Sequence, residues 1–430
     1  MKTWERERDR QQLYSRRKPE STPLYQIISS GHAALTQSWE DVFQSVYGVL
    51  RKEVVKAFET YLNCGILAHG CARASCENKE CQHSELIAFS CKTRSLCPSC
   101  AAKQSVMFAE NLVENVLLPY EHRHCVFTVP KRVRAYFKFN RKLMAHLYRA
   151  AWESWKELAL EQYPTGIPAA VEALHSAGDL LSFHPHIHGL FLAGVMMPDG
   201  SYQPIEIDQD RLQSLFADKV LLALLEEGLL TEEDIDNMKD WEHSGFNVFI
   251  GDLIDSGDQK RLFFAARYLK KCPLSNERLR IIDSSPETIL EYSSYKNEQK
   301  SVRTFTPLKF LAEIQQHIPN SWEQTTRFLG AYSSRSRGAA KAKLEVEKLV
   351  VAQYEILPLP ETIQKPSANW ARLMKKVFEL DPLLCPKCGS SMRIKAFITN
   401  PYEIDRITKN LGIPNQRAPP PLKFVLPIAA

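Results

Sequence analysis

The chain has 430 residues, of which 44% are hydrophobic and 24% charged, so its composition excludes a disordered protein and favours two or three domains. The formal net charge of +5 would suit many enzymes and does not by itself require a nucleic-acid partner. The polar start and the lack of a long apolar run predict a cytoplasmic protein with no membrane contact.

A helical segment precedes a cysteine-rich one. Residues 38–62 carry apolar side chains at helical spacing, which predicts an amphipathic helix. Eleven cysteines in a cytoplasmic chain indicate metal ligation, because the cytosol keeps thiols reduced. Two close pairs, Cys76 with Cys81 and Cys97 with Cys100, supply the four thiolates of a structural Zn²⁺ site. The neighbouring residue Cys91 is an alternative ligand.

The remaining elements are predicted from hydrophobic periodicity and turn signals. In chain order the pattern predicts helix 105–118, strand 125–129, helix 132–162, strand 180–195, helix 208–240, strand 246–250 and helix 262–271. Residues 301–355 alternate between strand-like and helical pieces, and a proline-rich tail ends the chain.

Three histidines alternate along the predicted strand 180–195. Side chains two residues apart on a strand share one face, so His184, His186 and His188 point the same way. Burying three imidazoles is costly unless they bind something, and two of them can bind one divalent ion. The pattern does not decide which two bind, although Pro185 could displace His184 from regular geometry.

Tyr268 lies on the predicted helix 262–271 among basic residues. Arg267, Lys270 and Lys271 would favour a phenolate and hold phosphates. A tyrosine on a helix is more often a core or surface aromatic, so the pattern alone does not make it a nucleophile.

A second cysteine pair lies near the end of the chain. Cys385 and Cys388 form half of a zinc knuckle, with no histidine or cysteine after them. If they bind zinc, the other ligands come from elsewhere, and Cys64 and Cys71 are the unassigned candidates.

Taken together, these segments resemble the rolling-circle insertion-sequence transposases of the HUH superfamily, which is named for a histidine pair flanking one bulky apolar residue. The shared motifs are TPLY at 22–25, SCKTRSLCPSC at 90–100, HCVFTVP at 124–130, FHPHIHGL at 183–190, HSGF at 243–246, ARYLKKCPLSNERL at 266–279 and the long segment 304–338. The terminal CPKCGSSMRIKAFITNP also looks like the family's tail.

The resemblance implies roles for individual residues. Tyr268 is the expected nucleophile, and His186 and His188 are expected to hold a catalytic Mg²⁺ or Mn²⁺, with His175 as a third ligand. Two-tyrosine relatives carry a second tyrosine where this chain has Phe264. The chain therefore resembles the single-tyrosine branch, and a second covalent linkage from that position is excluded.

The implied fold is α+β, with a central antiparallel sheet, flanking helices and small zinc-binding modules. The expected segments are a basic helical part over 1–60, a zinc-binding domain over 61–105, a catalytic domain over 106–275, the C-terminal part of the transposase domain over 276–355, and a tail over 356–430.

The implied function is nicking and rejoining of single-stranded DNA at transposon ends and target sites. The products of nicking are a 5′-phosphotyrosine and a free 3′-hydroxyl, so no nucleotide cofactor is needed. The expected DNA-binding residues are Arg267, Lys270, Lys271, Arg335 and Arg337. The zinc module is expected to read or position the DNA ends through Lys92, Arg94 and Lys103.

Three alternatives stay open at the level of sequence. A plasmid replication initiator or relaxase would use the same chemistry on an origin. A catalytically inactive, zinc-dependent DNA-binding regulator would keep the zinc modules without turnover. Metal-assisted hydrolysis of a small substrate would leave the basic clusters unexplained and would survive Tyr268→Phe.

Overall fold

The computed structural model describes residues 19–241, 245–282, 289–296, 299–339 and 384–413. Its main helices are α1 (Pro23–Ser38), α2 (Gln44–Tyr47), α3 (Lys52–Leu62), α4 (Pro98–Asn115), α5 (Lys131–Phe139), α6 (Met144–Gln162), α7 (Gln209–Glu226), α8 (Glu232–Lys239), α9 (Gln259–Tyr268), α10 (Pro307–Gln315) and α11 (Pro401–Asn410). Its strands are β1 (Cys71–Cys76), β2 (Ser84–Ala88), β3 (His122–Thr128), β4 (Ala169–Ala177), β5 (Phe183–Leu192), β6 (Gly194–Met196), β7 (Tyr202–Pro204), β8 (Asn247–Ile254), β9 (Leu279–Ile282), β10 (Ile289–Lys296), β11 (Gln299–Phe305), β12 (Thr326–Gly330) and β13 (Met392–Ile398). The expected proline-rich tail lies outside the described residues, and so do residues 340–355 of the 301–355 region.

A five-stranded antiparallel sheet in the order β12-β4-β5-β3-β8 forms the centre of the fold. Successive side chains point to opposite faces of this sheet, and both faces carry apolar residues. Helices cover both faces. One face packs on α5, α6 and α7 around Phe127, Ile187 and Phe191. The other packs on α4 and α9 around Val171 and Leu190. The expected α+β architecture with a central antiparallel sheet and flanking helices is confirmed.

Two smaller three-stranded sheets flank the central one. The sheet β11-β10-β9 contributes to a core shared with α1, α3 and α10. The sheet β13-β1-β2 pairs Cys71 with Ile398, so an early strand lies beside one from near the end of the described chain. No helix among the described residues is long and apolar enough to cross a membrane.

Three segments predicted as helices are interrupted. The segment 208–240 divides into α7 and α8 at a turn where Gly228 has a φ of 69°. The other two segments were predicted as continuous helices. Within 38–62 the chain turns at Gly48, which adopts a φ of 77°, and the Trp39 indole donates to the Gly48 carbonyl at 2.9 Å. Within 132–162, Asn140 leaves the helical conformation, and its side chain caps the amide two residues later. Hydrophobic periodicity continued across both breaks, so these two residues were the only local signals.

The central sheet is completed outside the segment 106–275. Strand β12, at residues 326–330, pairs with β4 and forms one edge of the sheet. Likewise, residues 384–413 supply β13 to the sheet beside the zinc-binding segment. Segments distant in sequence are therefore combined within single structural units.

Candidate active site and metal centres

Three histidines from two neighbouring strands converge on the face of the sheet that α9 covers. His186 and His188 alternate along β5, and His175 on β4 lies directly opposite His186 in the antiparallel ladder. The ligand nitrogens of the three rings lie within 4.8 Å of one another. His184 stays outside this group, although its ring centroid is 5.0 Å from that of His186. The neighbouring strand thus supplies the third histidine of this group, and its role as a metal ligand stays a prediction.

Hydrogen bonds orient two of these rings. The His186 Nδ1 lies 2.7 Å from the carbonyl oxygen of His184, to which it donates, so Nε2 is left as the metal-binding atom. The His188 Nδ1 lies 3.1 Å from Nε2 of His124, and the two rings stack at 5°. His124, on β3, was not singled out from the sequence. Its only signal was its place in the HCVFTVP motif.

Burial keeps the cluster neutral. Desolvation lowers the pKa of His175 to about 3 and also lowers the pKa values of His186, His188 and His124. Neutral imidazoles are the form that binds metal ions. The hydrogen bonds described above hold the rings in place. The three neutral nitrogens therefore fit a divalent cation whose remaining coordination positions are filled by oxygen ligands.

Tyr268 is the last residue of α9, and its ring lies close to the histidine rings. Its ring centroid lies 4.9 Å from that of His188, 5.7 Å from that of His175 and 5.9 Å from that of His124. The side chain is 39% exposed, so a substrate can reach it. The Lys271 ammonium donates to the Tyr268 hydroxyl oxygen at 3.4 Å.

A cavity of about 210 Å³ opens beside this cluster. Its lining includes His175, His186, Tyr268, Lys271, Arg278 and Ser95. Ser95 belongs to the cysteine-rich segment, which therefore contributes directly to the wall of the active-site cavity.

The turn between β4 and β5 is held by side chains from the C-terminal part of the chain. Arg278 donates to the carbonyl of residue 179 at 2.6 Å, Arg303 to that of residue 180 at 3.3 Å, and His317 to that of Leu181 at 3.0 Å. Leu181 has a φ of 64°, a left-handed conformation that is unfavourable for leucine. The sequence motifs contained Arg278 and His317 but gave neither a role.

Eight cysteines form two groups of four. Cys64, Cys91, Cys97 and Cys100 make up the first, with sulfur–sulfur distances of 3.6 to 3.9 Å. Thiolates about 2.3 Å from a tetrahedral Zn²⁺ are about 3.8 Å apart, so the geometry fits zinc. This group lies between α3 and the first turn of α4, against the core that contains α1 and α10.

The second group joins two segments that are far apart in the sequence. It consists of Cys76, Cys81, Cys385 and Cys388, and the Cys76 and Cys388 sulfurs, 312 residues apart in sequence, lie 3.5 Å from each other. The antiparallel pairing of β1 with β13 brings the two pairs together.

This arrangement corrects two expectations from the sequence. The expected set of Cys76, Cys81, Cys97 and Cys100 is divided between the two groups, because spacing along the chain does not report which pairs meet after folding. Cys64 belongs to the first group with Cys91, and does not complete the C-terminal pair.

Cys71 belongs to neither group. It is buried in a small apolar core with Leu67, Leu86 and Ile404, and desolvation raises the pKa of its thiol. It is therefore a packing residue.

The expected DNA-binding cations differ in their environments. The Lys270 ammonium lies over the Phe108 ring at 5.1 Å, and burial lowers its pKa to about 8. The Arg337 guanidinium lies over Phe328 and donates to a nearby carbonyl. Arg335 is exposed. Arg267 lines a second cavity.

Arg94, expected to face DNA, also holds another part of the chain. Its guanidinium donates to the carbonyls of Glu323 and Asn320 at 2.5 and 3.0 Å. This side chain ties the cysteine-rich segment to the loop after α10.

Comparison with known proteins agrees with this fold and site. Residues 34–129 match a family model described as a transposase zinc-binding domain, and residues 169–340 match one described as a putative transposase. These matches and the cysteine groups support structural Zn²⁺ in a transposase. No solved structure matches the chain.

Two relatives are similar to this chain over at least two thirds of its length. The transposase for insertion sequence element IS801 of Pseudomonas savastanoi pv. phaseolicola is 26% identical over 378 residues, covering 84% of this chain and 88% of the relative. The putative transposase y4qJ of Sinorhizobium fredii (strain NBRC 101917 / NGR234) is 23% identical over 310 residues, covering 67% and 75%. The two family models and these relatives together support a rolling-circle insertion-sequence transposase with an N-terminal zinc-binding domain, which confirms the resemblance seen in the motifs.

Proposed function

We propose that this transposase cleaves and rejoins single-stranded DNA at transposon ends by transesterification on Tyr268. The observation that carries the proposal is the position of the tyrosine. Its ring lies within 6 Å of three neutral imidazoles, and its hydroxyl lies 3.4 Å from an ammonium group. Phosphoryl transfer needs a positioned nucleophile beside positive charge. Tyr268 is such a nucleophile, the Lys271 ammonium supplies charge, and a metal ion on the neutral imidazoles would supply more.

Cleavage exchanges one phosphodiester for another. The Tyr268 hydroxyl loses its proton and its oxygen attacks the scissile phosphorus in line, while the bond from phosphorus to the 3′ oxygen breaks. The 3′ oxygen takes up a proton and leaves as a hydroxyl, and the 5′ phosphate stays on the tyrosine. Attack by a 3′-hydroxyl reverses the step and joins the strand to a new end, so no nucleotide cofactor is consumed.

The chain's own residues prepare this step. Lys271 donates to the Tyr268 hydroxyl, and Lys271 and Arg278, both in the wall of the same cavity, supply positive charge near the phosphate. Bound Mg²⁺ or Mn²⁺ would be held by His175, His186 and His188 and would stabilise the charge on the phosphate oxygens.

The two cysteine groups have a structural role in this proposal. Each would hold one Zn²⁺ through four thiolates. The first group would maintain the wall of the active-site cavity that contains Ser95. The second would fix strand β13 beside β1.

The test is formation of a covalent protein–DNA adduct. The full-length protein is incubated with labelled single strands that carry the terminal sequences of the element encoding it, plus Mg²⁺ or Mn²⁺, and analysed on a denaturing gel. We expect an adduct that disappears with chelator and in Tyr268→Phe. The control Tyr402→Phe changes an exposed tyrosine on α11 and should leave the adduct unchanged.

Two outcomes would contradict the proposal. An adduct of undiminished yield in Tyr268→Phe would assign the nucleophile to another residue. Binding of every terminal strand without any adduct would instead favour an inactive, zinc-dependent DNA-binding regulator.

A further inference from the structure

A second cavity lies between α4 and α9, within one to two helical turns of Tyr268. Its volume is about 470 Å³. Its walls include Val113 and Glu114 of α4 and Lys260, Phe263, Phe264 and Arg267 of α9. No step of the mechanism above uses these side chains.

The cavity combines an aromatic surface with positive charge. Phe264 is 53% exposed, and the neighbouring Phe263 ring meets it edge to face at 76°. Lys260 and Arg267 border the same space. Proteins bind single strands with this combination, because bases stack on aromatic rings while cations neutralise the flanking phosphates. An apolar cofactor would have no use for the charged rim.

The geometry connects the cavity to the nucleophile. Lys260, Phe264 and Tyr268 follow one another at four-residue spacing, so they lie along one side of α9. One helical turn spans about 5.4 Å, which makes Phe264 an immediate neighbour of Tyr268 on the helix surface. A strand whose scissile phosphate reaches Tyr268 and continues along α9 therefore enters the cavity at its next nucleotide.

The carboxylates of the cavity indicate which bases fit. Glu114 and the adjacent Glu110 are lining residues on α4. A carboxylate accepts hydrogen bonds and has several acceptor positions, so it matches the exocyclic amino groups of cytosine, adenine and guanine. Thymine carries no such donor group.

We infer that the cavity between α4 and α9 binds the base of a nucleotide adjacent to the scissile phosphate, stacked on Phe264 and preferring a base with an exocyclic amino group over thymine. The inference rests on the proposed function, since it needs a DNA strand at Tyr268. It gives Phe264 a role in substrate binding at the position where two-tyrosine relatives have a nucleophile.

The experiment combines protein variants with strands that lack one base. Cleavage sites are first mapped from the wild-type adduct, and an abasic site is then placed at each position on either side of the cleaved bond. We expect one flanking position at which base removal weakens wild-type binding about tenfold. Phe264→Ala should weaken binding of the intact strand by a similar factor and should be insensitive to base removal at that position.

Matched variants separate stacking from other roles. Phe264→Trp should retain affinity, and Phe264→Leu, which keeps apolar volume without an aromatic face, should lose it. Phe139→Ala changes an equally exposed phenylalanine on α5 and should have no effect. Glu114→Gln should reduce the preference for a base with an exocyclic amino group over thymine at the mapped position.

The possible failures are distinguishable. If wild type forms the Tyr268 adduct but Phe264→Ala binds and responds to abasic strands as wild type does, the inference is wrong and the proposed function stands. If Phe264→Ala changes only the oligomeric state, the cavity binds a second copy of the chain, and if it changes only the melting temperature, Phe264 is a packing residue. The inference is wrong in both cases. The absence of any wild-type adduct would remove the proposed function itself.

Discussion

Some side chains of the candidate active site are held in position by residues that are not candidate metal ligands. His124 is the example, because its Nε2 contacts Nδ1 of His188 and its ring also packs against Tyr268. Such a partner fixes the tautomer and the direction of the ligand ring. The expected metal affinity of the site therefore depends on a residue outside the ligand set.

The first prediction concerns His124→Ala. The change frees the His188 ring to rotate, so we expect the histidine site to bind Mn²⁺ about 10- to 100-fold more weakly, measured by calorimetric titration. His146→Ala, which changes a histidine on α6 that pairs with Glu227, serves as the control. An unchanged Mn²⁺ affinity in His124→Ala would show that the contact does not position the ligand.

The second prediction concerns pH. Burial lowers the pKa values of His122 and His317 to about 4, below the value of about 6.5 expected in the unfolded chain. The unfolded state therefore binds more protons between these values. The stabilisation from the neutral histidines is complete above pH 6.5 and is lost as the pH falls toward 4, on the order of 3 kcal/mol for each.

Denaturant unfolding from pH 7 to pH 4.5 measures this effect. His122→Gln keeps an acceptor for the Tyr332 hydroxyl, which lies 2.5 Å from His122 Nε2, and removes the titration. We expect a shallower fall of the free energy of unfolding with decreasing pH in this variant. An identical slope in wild type and His122→Gln would refute the assignment.

At the scale of elements, the hairpin of β4 and β5 carries all three candidate ligands, and its turn depends on distant residues. The carbonyls of residues 179–181 accept hydrogen bonds from Arg278, Arg303 and His317. A buried carbonyl that loses its donor costs about 1 to 3 kcal/mol. The turn is therefore stable in its strained conformation only while these donors remain.

The third prediction is that His317→Ala disturbs the hairpin selectively. Leu181 would lose the donor to its carbonyl, so we expect stability to fall by about 1 to 3 kcal/mol and Mn²⁺ affinity to fall with it. His317→Asn, which can still donate, should recover part of the metal affinity. Loss of stability with unchanged Mn²⁺ affinity would make His317 a packing residue only.

The fourth prediction concerns the two cysteine groups. We expect two zinc ions per chain, determined by elemental analysis of the purified protein. Replacing Cys385 and Cys388 with serine should leave one, because only the second group is broken. Cys71→Ala, which changes a thiol outside both groups, should leave two. A zinc content of one in wild type would contradict this assignment.

The whole molecule is built from segments that are far apart in sequence. Strand β12 completes the central sheet, and helix α10 shares a core with α1 and with three cysteines of the first group. Arg94 adds hydrogen bonds from the cysteine-rich segment to residues 320 and 323. The catalytic sheet therefore depends on α10 and β12 for its edge and for its neighbouring core.

The fifth prediction rests on this connectivity. A chain that ends at residue 275 lacks β12 and α10, which exposes the edge of β4 and the N-terminal core. We expect it to lack a cooperative thermal transition by circular dichroism. A chain that ends at residue 339 retains both elements and should melt cooperatively. Equal cooperativity in the two chains would show that the chain up to residue 275 folds without α10 and β12.

The sequence by itself determined the features that are local. The alternation of His186 and His188 follows from the two-residue period of a strand, and Tyr268 lies on a helix that its own apolar spacing predicts. Cys97 and Cys100 also end up in one group, because a short spacing at a helix start allows few other arrangements. The shared motifs also predicted a transposase, and the comparisons with known proteins confirmed this.

Only the tertiary structure decided which distant residues meet. The register of β4 on β5 places His175 opposite His186, and a slip of one residue would point it into the other face of the sheet. The pairing of β1 with β13 joins Cys76 and Cys81 to the C-terminal cysteines. Such contacts depend on strand pairing and shared cores between remote segments, and no local spacing encodes them.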